Sequence, residues 1–122
     1  MPKNEEIFPV IDKLRQKDRN LFSLVIRTRD WHPANHCSFQ SNNPGSSLFG
    51  VIKLEHSGVD QVMWPDHCIQ DSHGAKWHQD CEHQDGEIVV NKGQDWQVDS
   101  YSGFGSHPEK TQLNDILKEN QI

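Results

Sequence analysis

Long apolar runs are missing from this sequence, and no stretch approaches the roughly 20 consecutive apolar residues that a membrane-spanning helix requires. Clustered Lys and Arg are missing too. With 12 basic against 18 acidic residues the formal net charge is -6, and a nucleic-acid partner is not expected, because neutralising phosphates takes concentrated positive charge. The three cysteines, Cys37, Cys68 and Cys81, are odd in number and without C-x-x-C spacing, which suggests neither a disulfide framework nor a cysteine-rich zinc site. All three are expected to be reduced thiols. The opening Met1-Pro2-Lys3-Asn4-Glu5-Glu6 lacks the basic-then-apolar order of a secretory signal, so the expected address is the cytoplasm. A hydrophobic content of 33% and a mean hydropathy of -0.84 are lean for an independent core.

What is present has the rhythm of an α/β chain. Ile7, Val10, Ile11 and Leu14 fall at i, i+3, i+4 and i+7, an amphipathic helix with Asn4 as its cap, Glu5 and Glu6 in the first turn and Pro9 early enough to be tolerated. A loop through Asp18 to Asn20 leads into residues 21–28, whose apolar and β-branched content predicts a largely buried strand. Residues 38–58, rich in Ser, Asn, Gly and Pro and with a turn signal at Asn42-Asn43-Pro44-Gly45, read as a long irregular excursion, followed by a short extended piece at 61–63. Residues 87–91 predict a second strand running straight into Lys92-Gly93. A last helix is expected from near Thr111, with Leu113, Ile116 and Leu117 on one face and Asn120 as its stop.

Helix, strand, loop, strand, helix is the pattern of a parallel α/β sheet, in which ligands gather outside the carboxyl ends of the strands. Two parallel strands alone leave backbone groups unpaired and apolar faces uncovered, so residues 1–122 read as a single, partial domain of a larger sheet.

The chemistry concentrates where the first strand ends, at Asp30-Trp31-His32-Pro33-Ala34-Asn35-His36, and again at Trp64-Pro65-Asp66-His67-Cys68. One carboxylate and up to three imidazoles form a natural ligand set for zinc, iron or manganese. Asp30 and His32 lie two apart in extended chain, so both can face one ion. On bare spacing alone, a chain with 8 histidines can equally place His32 and His36 as solvated loop residues.

The words around these residues narrow the choice. D-W-H-P-A-N-H-C-S-F at 30–39, Q-V-M-W-P-D-H-C-I-Q-D-S-H-G-A at 61–75 and N-K-G-Q-D-W-Q-V-D-S-Y-S-G-F at 91–104 resemble, in order, signature stretches of nicotinamidases of the isochorismatase-like hydrolase family, particularly the eukaryotic type. The resemblance implies a three-layer α/β/α, Rossmann-like parallel sheet. It further implies Asp30, His32 and His67 as metal ligands, with His36 a further ligand used by some members, and one divalent ion, zinc first, with iron or manganese as alternatives. Trp64 matches an aromatic residue that packs on the substrate's pyridine ring, and Lys92 the lysine of an Asp-Lys-Cys triad.

The implied reaction is hydrolysis of nicotinamide to nicotinate and ammonia, a step of NAD salvage, through thiolate attack and a thioester. The triad's aspartate and cysteine are expected outside these 122 residues, one on a strand before the first helix and one after a strand beyond the last. Cys37 and Cys68 directly follow His36 and His67, and alternation turns their thiols away from any ion those histidines face. Residues 99–104 shape the wall near the active site in the family; none receives a catalytic role here. Two alternatives stand beside the enzyme: a truncated, catalytically inactive chain that binds a metal or a partner, and another amide hydrolase of the superfamily. The nicotinamidase reading leaves nicotinamide as the small-molecule partner, with no membrane and a homo-oligomer open.

Overall fold

A computed structural model describes residues 3–16 and 21–122, so the expected loop through Asp18 to Asn20 lies outside the described residues. The chain forms two compact units: residues 1–27 with 77–89, and residues 28–76 with 90–122. The fold is α/β. Among the described residues two α-helices, α1 (Ile7–Arg15) and α2 (Leu113–Glu119), accompany four strands, β1 (Ile26–Asp30), β2 (Val51–Lys53), β3 (Asp60–Val62) and β4 (Ile88–Lys92). β1 pairs with β4, and the links at 25–88 and 31–92 advance in the same direction along both, so the pair is parallel.

In the first unit the helical periodicity yields a helix, with Pro9 in its first turn. Asn4 is not its cap. Residues Asn4–Glu6 form a 3-10 turn that follows Lys3 in the left-handed region, and no side chain closes it. Nor is the apolar face covered: Ile7, Val10 and Leu14 are exposed. The helix is held by an aromatic stack and ion pairs instead. Phe8 stacks on His78 at 4.4 Å, and Arg15 reaches the buried carboxylate of Glu87 at 3.1 Å, which Arg27 also meets at 3.2 Å. The first strand begins at Ile26, five residues later than the apolar run predicts. The link from Ile88 N–H to Val25 C=O opens the ladder, and the chain before Ile88 is a 3-10 turn and loop that offers nothing to pair with 21–24.

The second unit carries the carboxyl ends of β1 and β4 and most of the buried residues. Its fully buried side chains are Phe39, Met63, His32, His36, Ser38 and Ser100. A core whose fully buried side chains are mostly polar survives only if each is satisfied, and no buried side-chain nitrogen or oxygen among the described residues lacks a partner. The expected excursion at 38–58 contains an element it was not expected to hold. β2 pairs antiparallel with β3, Val51 opposite Val62 and Lys53 opposite Asp60, across a turn in which Gly58 has φ +68°. Three residues, two of them exposed, carry too little alternation to signal a strand. The turn at Asn42-Asn43-Pro44-Gly45 forms as read, with Asn43 donating through its side chain to Cys37 and Phe39 carbonyls. α2 starts at Leu113, whose N–H is accepted by Thr111 Oγ1, and stops at Asn120, whose backbone and side chain both donate to Ile116.

Candidate metal centre

β1 delivers Asp30 at its last position, and the chain stays extended for two further residues. Trp31 N–H bonds to Lys92 C=O at 3.0 Å, and His32 joins the 67–70 segment as a parallel bridge, donating to Cys68 C=O at 3.0 Å and accepting from Gln70 N–H at 2.8 Å. Because side chains alternate, Asp30 and His32 fall on one face and Trp31 on the other, where Arg29 lies over its ring at 3.9 Å. A second bridge joins Phe39 to Trp64, with Trp64 N–H donating to Ser38 C=O and its carbonyl accepting from Gln40 N–H. The turn between these two anchors, with Cys68 at φ +48°, swings His67 back toward His32.

Asp30, His32 and His67 each present a ligand atom, and these atoms lie within 4.8 Å of one another. Both imidazoles are fixed at their Nδ1 atoms. His32 Nδ1–H donates to Gly93 C=O at 2.8 Å and His67 Nδ1–H to Pro65 C=O at 2.8 Å, which leaves the Nε2 lone pair of each ring open. A ligating histidine needs such a carbonyl at its far nitrogen to fix tautomer and ring plane. The rings meet edge to face at 4.9 Å over Phe39, which lies 5.6 Å from His32 and 5.4 Å from His67. Burial lowers the His32 basicity and keeps the ring neutral, the form in which it can bind a cation.

His36 is arranged differently. Its Nε2–H donates to Val98 C=O at 3.1 Å, and its Nδ1 accepts from Ser38 Oγ at 2.8 Å. Both ring nitrogens are committed to the protein, although the ring sits 4.2 Å from that of His32. Burial holds this imidazole neutral as well. As placed, His36 braces the site from behind and offers it no lone pair.

Lys92, the last residue of β4, points its ammonium at Asp30 Oδ1 and at Ser100 C=O, the latter at 2.7 Å. A cavity of about 210 Å³ opens over these groups and is lined by Asp30, His32, Trp64, His67, Lys92, Asp99, Ser100 and Tyr101. Trp64 is steadied there by its Nε1–H to Tyr101 Oη bond at 2.9 Å and by the Phe49 ring at 5.9 Å. A larger opening of about 690 Å³ in the same unit, between Asn35, Lys53, His56 and Trp96, has no cluster of ligating or catalytic groups.

None of the three cysteines lines the smaller cavity. Cys37 is buried, and desolvation with Asp99 nearby pushes its thiol up to about 11. Burial, with Asp30 adding to it, also raises Cys68. Cys81 belongs to the other unit.

Asp99, Ser100 and Tyr101 form one wall of the cavity, in the stretch that the resemblance expects to shape a wall, whereas nothing in the sequence singles out Gly93 or Glu109. Glu109 accepts from the N–H groups of Gly93, Gln94 and Asp95 at 3.0, 2.6 and 3.3 Å and from Ser100 Oγ. No local pattern announces it: it is one acid in a polar stretch, brought to the 93–95 turn by the path of the chain.

No family model matches the chain. It is 35% identical to a nicotinamidase of Acinetobacter baylyi over 120 residues, covering 97% of this chain and 53% of that protein. It is 36% identical to a nicotinamidase of Escherichia coli K12 over 124 residues, covering 100% of this chain and 57% of that protein. The chain thus spans about half the length of the curated relatives it matches. Among solved structures it resembles an Acinetobacter baumanii nicotinamidase/pyrazinamidase with TM-score 0.83 and 39% identity, over 97% of this chain and 55% of that one. It also resembles a yeast nicotinamidase bound to the inhibitor nicotinaldehyde, with TM-score 0.84 and 26% identity over 100% and 62%. A Pyrococcus horikoshii pyrazinamidase in complex with zinc matches with TM-score 0.72 and 28% identity over 100% and 55%.

Proposed function

The chain belongs to the nicotinamidase family of isochorismatase-like hydrolases, and from that premise we propose that it holds the metal-binding and ring-binding part of a metal-dependent nicotinamidase, hydrolysing nicotinamide to nicotinate and ammonia. Residues 1–122 are, on this reading, part of one isochorismatase-like domain. The observation that carries it is the convergence of Asp30 with two imidazoles whose Nδ1–H groups are both tied to backbone carbonyls, at the mouth of a cavity walled by Trp64 and Lys92.

One carboxylate oxygen and two imidazole nitrogens fit a borderline divalent cation, zinc before iron or manganese. The zinc reported in the Pyrococcus horikoshii pyrazinamidase supports that order. Asp30, His32 and His67 would hold the ion, whose chemistry is Lewis-acid anchorage of the substrate's ring nitrogen. Trp64 offers a flat aromatic face to a flat heterocycle. The nicotinaldehyde in the yeast relative supports a pyridine ring as the ligand. Lys92, held between Asp30 and Ser100 C=O, brings a fixed positive charge to the cavity, where it favours an approaching thiolate and the negative charge that develops on the amide oxygen.

Attack on the amide carbon needs a thiolate within reach; none of Cys37, Cys68 and Cys81 lines the cavity, and burial raises the Cys37 and Cys68 thiols against that role. The residues of this chain therefore bind, orient and polarise. The product would enter NAD salvage, and reduced thiols fit a cytoplasmic site for it.

The test is nicotinamide binding by the purified chain, followed calorimetrically with zinc and after chelation, with ammonia assayed in the same samples. Zinc-dependent binding without ammonia release is the expected result. Nicotinamide affinity that ignores the metal would overturn the reading.

A further inference from the structure

Glu109 does not line the cavity and is none of the three candidate ligands, yet its carboxylate gathers the backbone that holds them. Its Oε1 accepts from Gln94 and Asp95 N–H, and its Oε2 from Gly93 N–H and Ser100 Oγ. Two of those four donors belong to residues whose carbonyls support the site: Gly93 C=O accepts from His32 Nδ1–H, and Ser100 C=O accepts from Lys92 Nζ. The seat of Glu109 is itself tight. A Cβ on Gly105, which has φ +90°, would stand 2.6 Å from the Glu109 carbonyl, and Ser106 N–H donates to Ser100 Oγ at 3.0 Å.

We infer that Glu109 is a positioning residue for the metal centre, fixing the 93–95 turn so that Gly93 C=O stays under His32 Nδ1 and Ser100 C=O stays under Lys92. The inference rests on the metal reading above and adds a residue to it. Its physical basis is that an ionised carboxylate accepting four hydrogen bonds sets the peptide planes of the turn, and the plane between Gly93 and Gln94 carries the carbonyl that selects the His32 tautomer. An amide in place of the carboxylate still accepts at one end but presents N–H to N–H at the other, so the turn must rotate away.

The test uses the full chain labelled with nitrogen-15, with imidazole N–H signals recorded and cobalt(II) titrated by its visible absorption. In Glu109→Gln the slowly exchanging His32 Nδ1–H signal should be lost and cobalt affinity should fall about tenfold, as for other outer partners of ligating histidines. The His36 Nε2–H signal, tied to Val98 C=O, should persist and shows that the unit remains folded. An unchanged His32 signal with unchanged cobalt affinity would overturn the inference. If Glu109→Gln also loses the His36 signal, Ser100→Ala decides: it removes one of the four donors and keeps the Ser100 carbonyl. Faster exchange at His32 Nδ1–H in that variant supports the inference, and unaltered exchange overturns it. A parent chain that binds no cobalt would sink the metal reading alone, since the His32 signal tests the role of Glu109 without any metal.

Discussion

Gly93 accepts the Nδ1–H of His32 at 2.8 Å while leaving no room for a side chain of its own: a Cβ there would stand 2.3 Å from His32 Cε1 and 2.5 Å from Nδ1. The same residue has φ +64°, where any L side chain is strained. Gly93 thus meets two demands at once, a left-handed turn after β4 and contact with the ring it orients.

Gly93→Ala should therefore cost more at the metal than in the fold. The backbone strain is about 1 kcal/mol, but the methyl group must push the His32 ring off its carbonyl. Zinc affinity, measured by competition with a chromophoric chelator, is expected to fall at least tenfold. Unaltered zinc affinity would show that His32 is not held through this contact.

His67→Ala and His36→Ala should separate cleanly. His67 is half-buried with an open Nε2, so its loss should abolish tight metal binding with little change in melting temperature. His36 is fully buried with both nitrogens bonded, so its loss leaves Val98 C=O and Ser38 Oγ without a partner, a cost of about 1–3 kcal/mol. Thermal unfolding with and without zinc distinguishes the two. A His36 variant that keeps its stability and loses the metal would make that ring a ligand after all.

Trp64→Ala should weaken nicotinamide binding about tenfold, the scale of one aromatic stacking contact. Tyr101→Phe removes the acceptor of the Trp64 N–H, along with the hydroxyl's interactions with Asp99 and Gln61, and should cost a fraction of that. Equal losses in the two variants, measured by calorimetry with zinc present, would shift the ring-binding role from Trp64 to its partner.

Much of this site is legible along the chain. Asp30 and His32 stand out because period-two alternation puts them on one face at a strand end, and the motif around His67 supplies a third donor. The commitment of His36 was half visible in its neighbour Ser38, whose hydroxyl can reach back to Nδ1; its Val98 partner, 62 residues on, was not. Glu109 and Gly93 are 16 residues apart and joined only through space, so no window of sequence connects them. The fold shows the same division. The helix at 7–15 follows from its spacing, but spacing cannot say what covers Ile7, Val10 and Leu14. The β2–β3 pair depends on a tight turn at Gly58 and on two three-residue strands, half of whose residues are exposed.

Thiol chemistry gives a prediction with a defined direction. Burial pushes Cys37 up to about 11, so its neutral form is favoured in the folded chain. At pH 8 alkylation of Cys37 should run about a hundredfold slower than that of an ordinary exposed thiol. In the unfolded chain the thiol ionises first, so this contribution to stability is complete below about pH 8.5 and is lost as pH rises toward 11. Peptide mapping after timed iodoacetamide treatment reads the rate. Rapid labelling at pH 8 would place Cys37 in a far more open setting and reopen its candidacy as a nucleophile.

Acid should weaken the fold through carboxylates that are not ligands. Burial alone would raise Glu109, but Ser100 Oγ and the three N–H groups hold it below the usual carboxylate range. Burial likewise opposes ionisation of Glu87, and Gln84 N–H with Arg15 and Arg27 more than reverses it. A depressed folded value means that each group binds a proton more readily when unfolded. The stability both provide is therefore present above about pH 4.5 and disappears as pH falls through their lower folded values. Melting temperature should begin to fall below about pH 6.5, where His32 and His36 take up protons more readily in the unfolded chain, and should drop further below about pH 4.5 as the two carboxylates protonate. In Glu109→Gln the drop should be shallower, because one of the two groups no longer titrates. Parallel curves for parent and variant, recorded without metal, would mean that Glu109 is ordinary in its acidity and that the 93–95 turn is held by something else.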